Sequence, residues 1–150
     1  MPQNRPMNVE AERWLNQANE DLETAHILLH AERFGPCAFY CQQAAEKALK
    51  AVLYDIGERP WGHSLASLLD QICVVLSIQP VDSPQDEASA LDEHYMRPRY
   101  PDARMEVEPE YDQETALGAV QSAQTVLRFA TRNVVDAGEV PDDQSTATLG

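Results

Sequence analysis

The sequence predicts an all-α fold, an up-and-down bundle of about five helices. Three observations lead there. Apolar residues recur at steps of three and four along successive stretches, which is the helical period, and no stretch reads convincingly as a strand. Alanine is plentiful and aromatic residues make up only 7% of the chain, a balance that suits helices better than a β-sandwich. A chain of 150 residues, 43% of them hydrophobic, is long enough for one domain with a real core.

Met1–Asn8 is polar, contains two prolines and is expected to be frayed. Asn8 is a candidate cap for a first helix from Val9 to about Glu32, striped by Ala11, Trp14, Leu15, Ala18, Leu22 and Ala25. Glu10 and Glu12 fall in its first turn, where the helix dipole favours acids. Phe34-Gly35-Pro36 then breaks the pattern, and Pro36 fits the first position of a second helix.

That second helix is the expected centre of the bundle. Over FYCQQAAEKALKAVLYDI, Cys37, Cys41, Ala44, Ala45, Ala48, Val52 and Ile56 share one face, and most are small enough for neighbouring backbones to come close. The other side carries Phe39, Gln43, Glu46, Lys50 and Tyr54, with Lys47 beside them. A helix with apolar or aromatic residues most of the way round is usually touched by several partners. Gly57 is its expected C-terminal stop.

After the connection Glu58–His63, Ser64 caps a third helix with Leu65, Leu68, Leu69, Ile72, Val75 and Leu76 as its apolar residues, closed by Pro80. Ser83 and Pro84 read as cap and first position of a short fourth helix, about Pro84–Met96. RPRYPDARMEVEPE contains three prolines and is therefore a loop. A last helix runs from about Tyr111 to Asp136, with Ala116, Ala119, Ala123, Val126, Leu127 and Ala130 on its stripe. The division is thus a disordered 1–8, a bundle over 9–137 and a disordered acidic tail over 138–150.

The net charge of −14, from 25 acidic and 11 basic residues, repels nucleic acid and anionic membranes on average, so any RNA contact needs a local basic patch. No apolar stretch reaches transmembrane length and Met1–Glu12 lacks the core of a signal peptide. Three cysteines do not make a disulfide framework, and a reducing cytoplasm is the expected location.

Arg97, Arg99 and Arg104 gather three of the eleven basic residues into one segment, interleaved with Tyr100. Guanidinium groups bind phosphate and a tyrosine ring can stack on a base; equally, the arginines can pin the loop to nearby carboxylates. His63 stands before a helix N-terminus, four residues after Arg59, and imidazole titrates near neutrality. It is either an acid–base group for RNA cleavage or a histidine bonding backbone at a turn. Lys47 and Lys50, with Glu46, can support a phosphate beside the loop or form a surface or interface charge pair. His26 with His30, and Cys37 with Cys41, have a spacing that can bind metal, but the cysteines sit on the small, buried face; no metal and no cofactor are expected. There is no phosphate-binding glycine loop, no nucleophile elbow and no zinc signature.

CQQAAEKALKAVLYDIG, the Gly62–Leu65 turn (Gly-His-Ser-Leu) and Arg99-Tyr100-Pro101-Asp102 together resemble the HEPN-domain proteins, small helical proteins often encoded beside a minimal nucleotidyltransferase. The resemblance runs from about Val9 to Val135. It implies a HEPN-like bundle, a homodimer, a nucleotidyltransferase partner in a toxin–antitoxin-like or regulatory pair, and binding of a nucleotide or RNA. Together with the charged residues read above, it puts Lys47, Lys50, His63, Arg97, Arg99, Tyr100 and Asp102 at the ligand. Active HEPN ribonucleases carry an arginine, four to six intervening residues, then a histidine. Here only three residues separate Arg59 from His63, and no other pair fits. His63 and Arg99 are therefore catalytic only if the chain is a metal-independent endoribonuclease, the alternative to a binding and interaction module.

Overall fold

The computed structural model describes residues 6–95 and 111–134, and their order of elements is the expected one. Helix α1 spans Val9–His30, α2 Phe34–Asp55, α3 Leu65–Leu76, α4 Gln85–Asp92 and α5 Gln113–Arg132, with a 3-10 turn at Pro80–Asp82. Among the described residues there is no strand. Residues 1–5, 96–110 and 135–150, which include Arg97, Arg99, Tyr100, Asp102 and Arg104 and the expected acidic tail, lie outside the described residues.

Helix α2 is the hub. It packs against α1, α3, α4 and α5, and 13 of its 22 residues are buried, against four of 22 in α1. The small face read from the sequence is buried from Cys37 to Val52, and Ala38, Leu49, Ala51 and Leu53 join it. Helices α1 and α5 answer with alanines of their own: Ala11, Ala18 and Ala25 in one, Ala116, Ala123 and Ala130 in the other, all without exposed surface. Side chains this short let helix axes approach closely, so the core is built from near backbone contact with leucines filling the gaps toward α3 and α4.

Helices α1 and α2 run antiparallel, tied at three heights. The Asn8 backbone N–H donates to Asp55 Oδ1 at 3.0 Å. Trp14 stacks on Tyr54 with ring centroids 5.7 Å apart. Lys47 Nζ lies 2.7 Å from Asp21 Oδ2. Asn8 is therefore anchored, and Met7 packs on the core, in contrast to the expected fraying.

The helix ends differ from expectation in instructive ways. At the end of α1 the Glu32 N–H donates to the Leu29 carbonyl (3.0 Å) and the Arg33 N–H to that of Leu28 (2.9 Å), a Schellman turn that needs a left-handed residue at its centre. That residue is Glu32, at φ 61. With no glycine there, the first stop signal in the sequence is Gly35. Helix α2 accordingly begins at Phe34 rather than Pro36, whose missing N–H costs nothing in the first turn. We expect Glu32→Gly to stabilise the protein by about 1 kcal/mol, the strain of a non-glycine residue in this region; a lower urea midpoint in the variant would contradict it.

The corresponding turn after α2 does use glycine. Gly57, at φ +81, donates to Tyr54 (3.1 Å) while Glu58 donates to Leu53 (2.8 Å). Helix α4 ends at Asp92, short of the expected Met96, because its last residues turn aside: His94 Nδ1 lies 2.9 Å from the Tyr111 hydroxyl, and Asp92 reaches α3. Asp112 caps α5; its hydrogen bonds to the Thr115 side chain and then the Thr115 N–H (2.9 Å) hold its carboxyl below the usual range.

Candidate functional site

The centre of the site is Glu46, which the sequence presents as half of an i,i+4 pair and which the fold buries. Only 5% of its surface is exposed. The turn from Gly57 to Ser64 carries His63 back over α2, and His63 Nδ1 lies 2.7 Å from Glu46 Oε2. Lys50 Nζ is 2.8 Å from the same oxygen, and the Gln42 amide donates to Oε1 at 3.3 Å. Gln42, itself fully buried, in turn accepts from Gln43 at 2.7 Å. One carboxylate thus gathers an amide, an ammonium and an imidazole, which offsets the cost of its burial.

Aromatic rings frame this cluster. Tyr95 stacks on His63, centroids 5.5 Å apart and planes 14° from parallel, and Phe39 lies 6.5 Å from Tyr95. On the other side Lys50 sits 5.5 Å over the Trp14 ring, whose Nε1 donates to Glu10 at 3.0 Å. The His63 side chain keeps 62% of its surface open to solvent. With Nδ1–H donated to a carboxylate, Nε2 is the ring atom left for an outside group, the arrangement that fixes a histidine tautomer.

Of the expected ligand residues, His63 and Lys50 therefore meet, on Glu46. Lys47 does not join them: it lies three residues from Lys50 around the helix and is committed to Asp21, which also accepts from Gln17 at 3.2 Å. His63 bonds a buried side chain rather than backbone at the turn. The α3 N-terminus beside it is already filled. Asp92 takes the N–H groups of Leu65 (2.7 Å) and Ala66 (3.2 Å), and Ser64 Oγ takes that of Ser67 (3.2 Å). A helix start offers an anion only its free donors, and here an internal carboxylate has claimed them. The aromatic side of α2 is partly covered from within by Trp14 and Tyr95.

Sequence reasoning missed three of the members. Tyr95 reads as a core residue of α4, Asp92 carries no signal, and Gln42 is hidden among the small residues of α2. The metal candidates separate. His30 Nδ1 donates to the His26 carbonyl at 3.0 Å, and Cys37 and Cys41 are sealed in the core. A hydrogen bond with Cys37, and then burial, raise the Cys41 thiol above its ordinary value. Among the described residues no three histidine, cysteine or acidic side chains group to hold a metal ion, and no helix is long and apolar enough to cross a membrane.

Known proteins resemble this chain over nearly the whole bundle. The family model described as "HEPN domain" matches residues 11–134. A Methanocaldococcus jannaschii protein named "Putative toxin MJ1304" is 29% identical over 128 residues, covering 78% of this chain and 83% of its own length. Among solved structures, TT1696 from Thermus thermophilus superposes with a TM-score of 0.75 at 32% identity, covering 83% of this chain and 98% of its own. The archaeal HEPN homologue ST0689 gives 0.65 at 32% identity, over 80% of this chain and 93% of its own. A five-helix bundle organised on the CQQAAEKALKAVLYDIG helix, with its Gly-His-Ser-Leu turn folded back on that helix, belongs to the HEPN domain family.

Proposed function

We propose that the chain is a HEPN-type module that binds a nucleotide or RNA and works, as a cytoplasmic homodimer, in a toxin–antitoxin-like pair with a nucleotidyltransferase. The observation that carries the ligand is the open His63 ring, held by buried Glu46 and stacked on Tyr95. Tyr95 stands two residues before Arg97 and four before Arg99 in the sequence. Arg97, Arg99, Tyr100 and Asp102 complete the site in this reading, and Lys50 supports it through Glu46. The similarity to a protein named as a toxin supports the pairing.

A second reading, endoribonuclease activity, has one observation in its favour. A histidine whose Nδ1 is bonded to a buried carboxylate is oriented for proton transfer at Nε2. The arginine–histidine spacing of active family ribonucleases is absent, which places the enzyme second.

Arg99→Ala and His63→Ala test both readings, with ATP and a short single-stranded oligoribonucleotide as probes. We expect Arg99→Ala to weaken binding by about 1.5–3 kcal/mol, the usual loss for a charged hydrogen bond, with the melting temperature within a degree or two. Lost stability at unchanged affinity would refute the site. Cleavage of the oligoribonucleotide by the parent protein and not by His63→Ala would put the enzyme first.

A further inference from the structure

We infer that Trp61 is the stacking platform for the base of an unpaired nucleotide whose phosphate end lies at His63, an inference that rests on the ligand reading above. The chain has two tryptophans, and the fold treats them oppositely. Trp14 is half-buried, stacked on Tyr54, covered by Lys50 and bonded through its indole N–H. Trp61 is 65% exposed, and among the described residues no ring or hydrogen-bond partner meets its indole. Leaving a large aromatic surface in water is unfavourable, so an indole held open invites a flat partner.

The backbone beneath it is held. Gly57 and Gly62 take positive φ (+81 and +86), conformations that fix the bends on either side, and Gln71 Nε2 donates to the Trp61 carbonyl at 3.4 Å. A platform on an ordered loop loses little freedom when a ligand lands on it.

Position selects the ligand. Trp61 and His63 are separated by one residue, so their Cα atoms lie within about 7 Å of each other. Base and phosphate of one nucleotide span a comparable length, which lets one ligand touch the indole and the open edge of His63 together. Stacking on an indole tolerates any base. The net charge of −14 disfavours a long duplex, with its dense phosphates, more than a mononucleotide or a short single strand. Val74 and Val75, one turn beyond Gln71 on α3, are also exposed, and as aliphatic side chains they suit a protein contact instead. They lack the neighbouring histidine edge, and the test separates the two.

The full-length Trp14→Phe variant leaves Trp61 as the one indole reporter. ATP or a short single-stranded oligoribonucleotide should quench its fluorescence saturably, while inorganic phosphate should not. Trp61→Ala should weaken ATP binding about tenfold or more by calorimetry, the loss of one stacked base, with melting temperature unchanged, and Trp61→Phe should restore much of the loss. If calorimetry shows ATP binding while Trp61 fluorescence and the Trp61→Ala affinity stay unchanged, the platform is refuted and the ligand reading stands. No binding of either probe to the parent protein would overturn both. A dimer that becomes a monomer on Trp61→Ala, with ATP affinity unchanged, would make the indole a contact between copies and overturn the inference.

Discussion

Ala48→Leu should lower the stability to denaturant by about 1–3 kcal/mol or more, the usual cost of forcing methylenes into a packed core. Ala48 has no exposed surface and sits mid-length on the helix that touches all four others. The helices it could displace are lined by alanines of their own, so the added side chain cannot be accommodated by rotating a long neighbour aside. It must push the helix backbones apart. In a domain of this size the melting temperature should fall by roughly 4–12 °C. Gln121→Leu, on the exposed side of α5, introduces the same side chain where it meets water, and should stay within about a degree. Equal effects of the two substitutions would show that α2 is not packed as described.

Glu46→Ala should cost about 3 kcal/mol, because breaking a buried pair leaves the surviving charge uncompensated. Lys50, with 14% of its side chain exposed, would keep its charge against the Trp14 ring, and the buried Gln42 would lose its acceptor. Urea denaturation measures the loss. The double variant Glu46→Ala, Lys50→Met should recover part of it, since the stranded ammonium is then gone. A single variant as stable as the parent would mean that water already screens the pair. The same substitution releases His63 Nδ1, so the ring nitrogen shifts in NMR should show mixed tautomers where the parent shows one.

The centre of the fold was legible because it depends on spacing alone. Cys37, Cys41, Ala44, Ala45 and Ala48 recur at three and four, and no tertiary information is needed to put them on one buried face. The resemblance supplied the family from three short motifs. The site was only half legible. Glu46 and Lys50 look like any solvent-facing i,i+4 pair, worth about 0.2–0.5 kcal/mol; it takes Trp14 from α1 and the return of the Gly57–Ser64 turn over α2 to cover them. Local pattern cannot report that. Asp92 was invisible for the same reason, since it serves a helix 27 residues away in the chain. Glu32 defeated the boundary reading differently, by taking a conformation for which glycine is the usual signal.

The alanine seam between α1 and α2 has a consequence for axial register. Interlocking leucines resist sliding because each fills a hole shaped for it; alanines make shallow holes that resemble one another. Ala11, Ala18 and Ala25 recur every two turns, so a slide of two turns, about 10.5 Å, would leave small residues facing small residues along much of the seam. What such a slide would destroy is the set of ties at Asn8–Asp55, Trp14–Tyr54 and Asp21–Lys47. These contacts work as a vernier: the apolar seam supplies adhesion without position, and the polar and aromatic ties select one alignment from several of similar packing.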